Sequence, residues 1–579
     1  MKKQNITACI IPSSDCHLSE YVNDCFKYRA YFSGFTGSAG TLYVTENEAY
    51  LITDGRYFLQ ASEQLEGTGI TLVRDGVRDE PNIFTLCERT LKKDDILFSD
   101  GMLMSAVFAE KLKAFADGHG FKLMTNDSPV SESCDSLPSQ KFNKIYALAD
   151  DLTGCHRGEK IHGVRQKMLA HGADGHVITS LEEIAWILNL RGSDIKNTPV
   201  FYGYMYLTND TAYAFLDRDA ASDVIAELER DEVTVCAYTE FYNFISSIPE
   251  KKILCDKSCV NAAVISSLPN DTEIINKTDP AMLSKAIKNK TEIENLKRVH
   301  LYDGLAVARF MHFIKNVNSG EYSEITASEK LGEFRKMSDL YIEDSFDTIC
   351  AYGKNAAVVH YTATPASDTI IERTGALLVD SGGQYRGGTT DITRVFVLGE
   401  TTDEFKLHYT AVCKSMLRLQ NAVFRKGTKC AVLDMLARDP VWKLGLDFRH
   451  GTGHGIGYML SVHEGPNRFY FGGNTPAMEA GMVTSDEPGL YIDGKHGIRI
   501  ENEILCTPAF SSEYGEFLKF EPLTVCPVDL EAIIPEQLDE SDIEALNNYH
   551  AYVFESLAPL ADEDELEWLK EYTRPIKRQ

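Results

Sequence analysis

Ala376-Leu-Leu-Val-Asp380-Ser-Gly-Gly383 and the residues that follow, Gln384-Tyr-Arg-Gly-Gly388-Thr-Thr-Asp391-Ile-Thr-Arg-Val-Phe-Val-Leu398, decide how this chain is read. Ala376 to Val379 is an unbroken apolar run, the pattern of a strand buried on both faces. It ends on an acid. Asp391 opens a second run of the same kind. Gly382, Gly383, Gly387 and Gly388 let the chain return between the two, so a hairpin-like pair is expected. Asp380 and Asp391 would then face one point. Taken alone, Asp380 also fits an ordinary strand end at a turn.

Further acids and imidazoles follow. Six of the 15 histidines lie between His360 and His496. In Arg449-His450-Gly-Thr-Gly-His454-Gly-Ile-Gly457 two histidines stand four apart, but the interleaved glycines argue against a helix carrying both. The run is not a phosphate loop either, because no P-loop lysine follows. His463 sits in Val462-His-Glu-Gly-Pro466, and the chain has no HExxH. Glu487, in Met482-Val-Thr-Ser-Asp486-Glu-Pro-Gly489, ends an extended stretch fixed by Pro488. In Gly497-Ile-Arg-Ile-Glu501-Asn-Glu-Ile-Leu505, alternation puts Ile498, Ile500 and Ile504 on one face and Arg499, Glu501 and Glu503 on the other. That face is either solvated or a polar cleft into which Glu501 points with Arg499 behind it.

Asp380, Asp391, His454, Glu487 and Glu501 together form a set of hard donors. Such a set suits a pair of divalent cations, and its carboxylates favour Mn²⁺ over softer ions. Two such ions and four carboxylates cancel in charge, which permits an activated water at neutral pH.

Outside this region, Thr291 and Glu294 have capping-box spacing at the start of a long helix. Ile293, Leu296, Val299, Ala306, Phe310 and Phe313 form its apolar stripe. Nearer the N-terminus, Tyr43-Val-Thr-x3-Ala49-Tyr50-x3-Asp54 recurs as Tyr206-Leu-Thr-x3-Ala212-Tyr213-x3-Asp217. Each copy reads as two strands joined by a polar turn, which implies two related α/β domains. The expected division is 1–130, 131–287 and 288–579, the last carrying a C-terminal helical extension. The acidic tail, Asp562 to Glu565, reads as a solvated helix face.

Composition narrows the function. The chain has 579 residues, 58 basic and 86 acidic, for a net charge of −28. This argues against nucleic acid or an anionic membrane as a partner. No apolar run is long enough to span a bilayer, and the N-terminal stretch is broken at Pro12 before a signal peptide can form. The 14 cysteines contain no CxxC pair. Free thiols and the lack of a signal point to the cytoplasm.

The order and spacing of the five donors resemble the pita-bread metallopeptidases: aminopeptidase P, prolidase, methionine aminopeptidase and the metal-free creatinase. The chain is most similar to the long, three-domain Xaa-Pro aminopeptidases. The similarity is carried by Gly37-Ser-Ala-Gly40, Thr53-Asp-Gly-Arg-Tyr-Phe58, Asn189-Leu-Arg-Gly-Ser-Asp194, Pro199-Val-Phe201 and Asp380-Ser-Gly. It continues in Gly388-Thr-Thr-Asp391, His450 to Gly457, Val462 to Pro466, Asp486-Glu-Pro-Gly489, Ile498-Arg-Ile-Glu-Asn502 and Leu546-Asn-Asn-Tyr-His550.

The resemblance implies an α/β (α+β) chain with two creatinase-like N-terminal domains and a C-terminal pita-bread catalytic domain. It implies two metal ions, with Mn²⁺ expected and Zn²⁺ or Co²⁺ as alternatives. Asp391 and Glu501 would bridge both ions. Asp380 would complete one shell, and His454 and Glu487 the other. Glu487 would also accept a proton from the attacking water. His360, in Val358-Val-His-Tyr361, would line the substrate site; read alone it is only a strand-end histidine. His450 and His463 would contact substrate and assist proton movement, with Arg499 in support. The expected reaction releases the first residue of short peptides that have proline second. Arg56 and the N-terminal domains are candidates for narrowing access to short peptides. A prolidase limited to dipeptides and a non-catalytic binding module are the alternatives. A homodimer is implied by the resemblance alone.

Overall fold

The computed structural model describes residues 1–578. The chain forms two compact units. One is Met1–Asp150 with Cys155–Lys285; the other is Asp151–Gly154 with the chain from Ala286 onward.

The internal repeat is a structural repeat in the first unit. Strands Thr41–Thr45 and Ala49–Thr53 pair antiparallel with Tyr43 opposite Tyr50. Strands Gly203–Thr208 and Ala212–Leu216 do the same with Tyr206 opposite Tyr213. The turns share one chemistry. Thr45 Oγ1 accepts from the amides of Asn47 and Glu48 at 3.3 and 3.0 Å, and Thr208 Oγ1 accepts from Asp210 and Thr211 at 3.3 and 2.9 Å. A threonine at the first turn position therefore closes both hairpins.

Each hairpin belongs to a six-stranded sheet, and the two sheets have one strand order. The first runs Thr71–Arg74, Ala49–Thr53, Thr41–Thr45, Ala8–Pro12, Ile96–Ser99, Lys122–Met124. The second runs Val233–Ala237, Ala212–Leu216, Gly203–Thr208, Gly175–Ile178, Lys252–Leu254, Glu273–Ile275. In both, the hairpin and the strand beside it are antiparallel and every other neighbouring pair is parallel. The first sheet is covered on both faces. Ala8 and Ile10 join one apolar cluster with Leu86 and Leu112, while Cys9 and Ile11 join another with Leu42 and Phe98. Strict alternation thus feeds two cores.

The second unit opens with the helix Lys290–Asn316. Its cap lies two residues earlier than the expected Thr291–Glu294 box: Asn289 is the N-cap, and Glu292 returns a bond to the Asn289 amide at 2.9 Å. Asn289 and Glu292 have the same spacing, and asparagine caps at least as well as threonine. The expected stripe is buried at Leu296, Val299, Ala306 and Phe310.

Strand Ala376–Ser381 lies between Ile349–Tyr352 and Ile392–Val397, antiparallel to both, with Asp380 opposite Thr393. The two apolar runs do pair. The chain between them is more than a turn, since Gly383–Tyr385 and Gly388–Thr389 form their own ladder beside Tyr341–Asp344. A side chain at Gly382 would run into the Thr390 carbonyl.

A six-stranded sheet completes the unit, in the order Val423–Arg425, Gly515–Pro522, Asn502–Ser512, Val483–Asp486, Gly453–Gly455, Glu464–Phe469. The expected single strand through 497–505 is interrupted. His496–Arg499 pairs with Gly489–Ile492, whereas Asn502–Ser512 pairs with Val483–Asp486 and Gly515–Pro522. Both of its faces are buried, including Arg499, Glu501 and Glu503. Glu565 of the acidic tail is not fully solvated, for it pairs with Arg309 at 2.6 Å. All 14 cysteines are free. Among the described residues no helix is long and apolar enough to cross a membrane.

Candidate active site

Five elements of the second unit bring the site together. Asp380 is the penultimate residue of its strand, and Asp391 directly precedes the strand Ile392–Val397. His454 is in the short strand Gly453–Gly455, Glu487 follows Val483–Asp486, and Glu501 occupies the break between two strands. A side chain at Gly453 would run into the Ser485 carbonyl, so the histidine strand approaches its neighbour only with glycine there.

Asp391, His454 and Glu501 each present a ligand atom, and the three atoms lie within 4.8 Å of one another. His454 Nε2 is 3.4 Å from Asp391 Oδ2 and 3.4 Å from Glu487 Oε1. Its Nδ1 is 3.0 Å from the Gly455 carbonyl, which can only accept. Nδ1 therefore carries a proton, and Nε2 faces the carboxylates as the ligating atom. Asp380 Oδ2 pairs with Arg499 Nη2 at 2.5 Å, while Asp380 Oδ1 is buried with no hydrogen-bond partner.

The carboxylates repel one another. Burial first, then the charges of Asp391, Glu487 and Asp380, hold Glu501 well above the usual carboxylate range. Burial and the charges of Asp380 and Glu487 push Asp391 up to about 6, against the pull of His454. Burial opposes a charged His454, but Asp391 and Glu487 overcome it and raise the imidazole to about 9. Crowded acids of this kind are relieved by a cation. A cluster of oxygen donors with one imidazole, and an orphaned carboxylate oxygen at its edge, fits divalent metal.

The remaining expected residues surround this cluster. The His463 ring lies 4.2 Å from the His454 ring, edge to face. His450 donates from Nδ1 to the Gly451 carbonyl at 2.6 Å, so its Nε2 accepts from the Tyr491 hydroxyl at 2.9 Å. Arg499 donates to that same hydroxyl at 2.6 Å and to Thr393 Oγ1 at 3.2 Å, and Thr393 donates to Glu501 Oε2 at 2.7 Å. His360 is half-buried beside Val359, whose carbonyl accepts from Arg499 Nη2 at 3.4 Å. In the other unit, Arg56 pairs with Asp54 through two bonds of 2.9 and 2.8 Å.

Sequence reasoning missed Tyr491, Thr393 and Ser485. Ser485 Oγ accepts from the His454 amide at 3.0 Å and donates to Glu487 Oε1 at 3.3 Å. A signal was present: Thr393 and Ser485 stand two residues from Asp391 and Glu487, and the period of a strand puts i and i+2 on one face. Two further acids of the region are neutralised locally. Asp434 pairs with Arg438 at 2.7 Å and Glu464 with Lys288 at 3.0 Å.

Known proteins resemble this chain. The model of metallopeptidase family M24 matches residues 294–508, and the model of the C-terminal region of that peptidase matches 516–576. Two models of the creatinase/prolidase N-terminal domain match 1–127 and 136–292. A probable Xaa-Pro aminopeptidase P of Laccaria bicolor is 37% identical over 597 residues, covering 100% of this chain and 92% of its own. Aminopeptidase P2 of Arabidopsis thaliana is 36% identical, covering 99% and 86%. Among solved structures, an X-prolyl aminopeptidase of Caenorhabditis elegans, described as a cytosolic enzyme with a di-nuclear active site, superposes with a TM-score of 0.94. Its identity is 32%, over 99% of this chain and 95% of that one. A Xaa-Pro dipeptidase from Bacillus anthracis reaches 0.52 at 26% identity and covers 65% of this chain.

Proposed function

The chain belongs to the Xaa-Pro aminopeptidases of metallopeptidase family M24, and from that premise we propose that it hydrolyses the bond before a proline at position two and releases the first residue. The observation that carries this is the convergence of Asp391, His454 and Glu501 within 4.8 Å. It stands in a chain that matches aminopeptidase P relatives from end to end.

We assign two divalent ions to the site. Asp391 and Glu501 would be shared by both, Asp380 would belong to one, and His454 and Glu487 to the other. Bound there, the ions supply a Lewis acid and an activated water at neutral pH. Mn²⁺ is the proposed ion because carboxylates dominate the donors. Glu487 is positioned as the proton acceptor, its carboxylate oriented by Ser485. His450, held by Tyr491, keeps one tautomer and can pass a proton at Nε2. His463 and His360 are assigned to substrate contact. Arg499 orients Asp380 directly and Glu501 through Thr393. Selectivity for proline has a simple origin: its amide nitrogen carries no N–H, so a pocket fitted to the ring leaves no donor unsatisfied.

The division 1–130, 131–287 and 288–579 remains our proposal for the domains. We also propose a homodimer. It is supported by Val432, Met435 and Leu436, exposed on one helix with Trp442, whose ring lies 6.1 Å from the exposed Phe471. Exposed apolar side chains grouped on one helix suit an interface. The cytoplasm is the proposed location, in keeping with 14 free thiols.

A peptide panel tests the activity: X-Pro-Y, X-Ala-Y and X-Pro, each with and without Mn²⁺ after chelation. Metal-dependent cleavage of X-Pro-Y alone, or of both proline peptides, is expected. Cleavage of X-Pro only would make the enzyme a prolidase. No cleavage from protein with near-zero metal would make it a binding module.

A further inference from the structure

Glu324 is a fully buried acid to which the proposed hydrolysis gives no part. It is the first residue of the helix Glu324–Arg335, and a helix start favours negative charge. Glu324 Oε1 accepts from the Tyr352 amide at 2.7 Å and from Asn355 Nδ2 at 2.9 Å. Glu324 Oε2 accepts from the Tyr361 hydroxyl at 2.8 Å and from the Thr369 amide at 3.1 Å. These four donors are neutral, and they satisfy a carboxylate whose burial is otherwise costly. All four come from one segment, 352–369. The helix backbone returns the grip: the Glu324 amide donates to the Thr369 carbonyl at 3.1 Å, and the Ile325 amide to Asp368 Oδ1 at 3.1 Å. The Tyr352 and Thr369 amides stand at the two ends of the segment, so one carboxylate closes it into a loop.

His360 lies inside this loop, directly before Tyr361. The other side of the loop rests on the carboxylate cluster. Arg499, which pairs with Asp380, donates to the Val359 carbonyl. A side chain at Gly497 would run into the Ala356 carbonyl, so the strand His496–Arg499 packs directly on the loop. His360 therefore stands between two anchors, the Val359–Arg499 bond before it and the Tyr361–Glu324 bond after it. We propose that Glu324 is a positioning residue for the hydrolysis, which through Tyr361 fixes where His360 meets the peptide. This rests on the assignment of His360 to substrate contact. Glu324→Gln isolates the effect, because glutamine has the same shape but puts an NH₂ group where one oxygen was. A donor then meets a donor, and either the Tyr352 or the Thr369 amide loses this acceptor. In the second case the single Tyr361 proton can turn to the Ser367 carbonyl, 3.2 Å away, and the link to Glu324 is broken.

The test uses the full chain loaded with Mn²⁺ and reads hydrogen exchange, metal content and X-Pro-Y kinetics. Glu324→Gln should speed amide exchange across 352–369 by about 10–100-fold, the range set by one stranded buried amide. KM should rise by about 10-fold with kcat and metal content little changed, because a contact made in the ground state is lost. A double-mutant cycle with His360→Ala separates positioning from general weakening. If Glu324 acts through His360, the double variant is no worse than His360→Ala alone. Penalties that multiply, exchange that is unchanged in 352–369, or a loss of rate that tracks a loss of metal would each overturn the proposal. If Glu324→Gln misfolds by thermal melt, Tyr361→Phe cuts the link beside His360, leaves the other three partners of Glu324 in place and enters the same cycle. A parent chain that cleaves no X-Pro-Y would sink the hydrolytic reading and this inference with it. An active parent whose KM is unchanged by Glu324→Gln would sink the inference alone.

Discussion

Replacing Arg394 with methionine should loosen both the second unit and its carboxylate cluster. The guanidinium is 1% exposed and makes six hydrogen bonds of 2.6 to 2.9 Å. Its partners are the carbonyls of Thr393, Glu501, Cys526 and Pro527, the Asn502 side chain and the Tyr549 hydroxyl. Some of these keep another donor after the substitution. The single Tyr549 hydroxyl proton still serves Cys526 or Asn502, and the Glu501 amide still serves Thr393. The Glu501 carbonyl loses the guanidinium, and the Pro527 carbonyl keeps only the weak Cys526 thiol at 3.7 Å. Methionine is long enough to prevent a large cavity, so the main cost is about two buried acceptors left without a strong donor. At ~1–3 kcal/mol each, this gives a loss of ~2–6 kcal/mol, against total domain stabilities of ~5–15 kcal/mol. Urea unfolding followed by tryptophan fluorescence measures it. Trp442 and Trp568 lie in the second unit and Trp186 in the first, so the transition of the second unit should move alone. Metal content should fall as well, because the Glu501 backbone loses its clamp. Arg394→Lys, which retains charge and some donors, should fall between. Stability of Arg394→Met within about 1 kcal/mol of the parent would refute the claim that these carbonyls depend on the guanidinium.

Other predictions use separate readouts. Asp391→Asn and Glu501→Gln should each abolish turnover and lower metal content while leaving the circular dichroism spectrum unchanged; wild-type-like turnover of X-Pro-Y by either would remove these residues from the site. Tyr491→Phe removes the hydroxyl shared by His450 and Arg499, and kcat should drop by about 10–100-fold with KM little changed, as for other groups that orient ligands. His550 is fully buried and accepts from the Val528 amide at 3.1 Å, and burial and then Arg394 lower its pKa from 6.5 to about 3. Between those values the unfolded chain binds the extra proton. The contribution is therefore fully present above pH 6.5 and is lost as pH falls toward 3, by up to roughly 5 kcal/mol. His550→Gln should flatten that part of the stability–pH curve, and an unchanged slope would show that another group controls it.

Much of the architecture was legible because it rests on local pattern. The Tyr43 and Tyr206 hairpins were visible as a repeat because each closes on its own threonine. The apolar runs ending at Asp380 and beginning at Asp391 paired as expected, since glycines permit the return and burial on both faces demands it. The helix cap was misplaced because two boxes with one spacing overlap, and only geometry chooses between Asn289 and Thr291. The break at Ile500 and Glu501 was not legible, since the alternation continues through it; what changes there is the strand partner, a tertiary property. Tyr491 was missed for a related reason: its role depends on His450 and Arg499 meeting at one hydroxyl from separate elements. Asp391, His454 and Glu501 were grouped in the sequence as compatible donors and meet in the structure, but their mutual distances were not in the sequence.

The Arg394 clamp also has a meaning in time. All five proposed ligands have been synthesised once Glu501 is made, yet the guanidinium that seats Glu501 also grips Cys526, Pro527 and Tyr549. A nascent chain leaving the ribosome would hold every donor and still lack the contacts that fix them. A product truncated before Tyr549 would carry a complete ligand inventory and a poorly held site. The backbone that seats Glu501 is thus held by a residue that also depends on Cys526, Pro527 and Tyr549, all synthesised after the last proposed ligand.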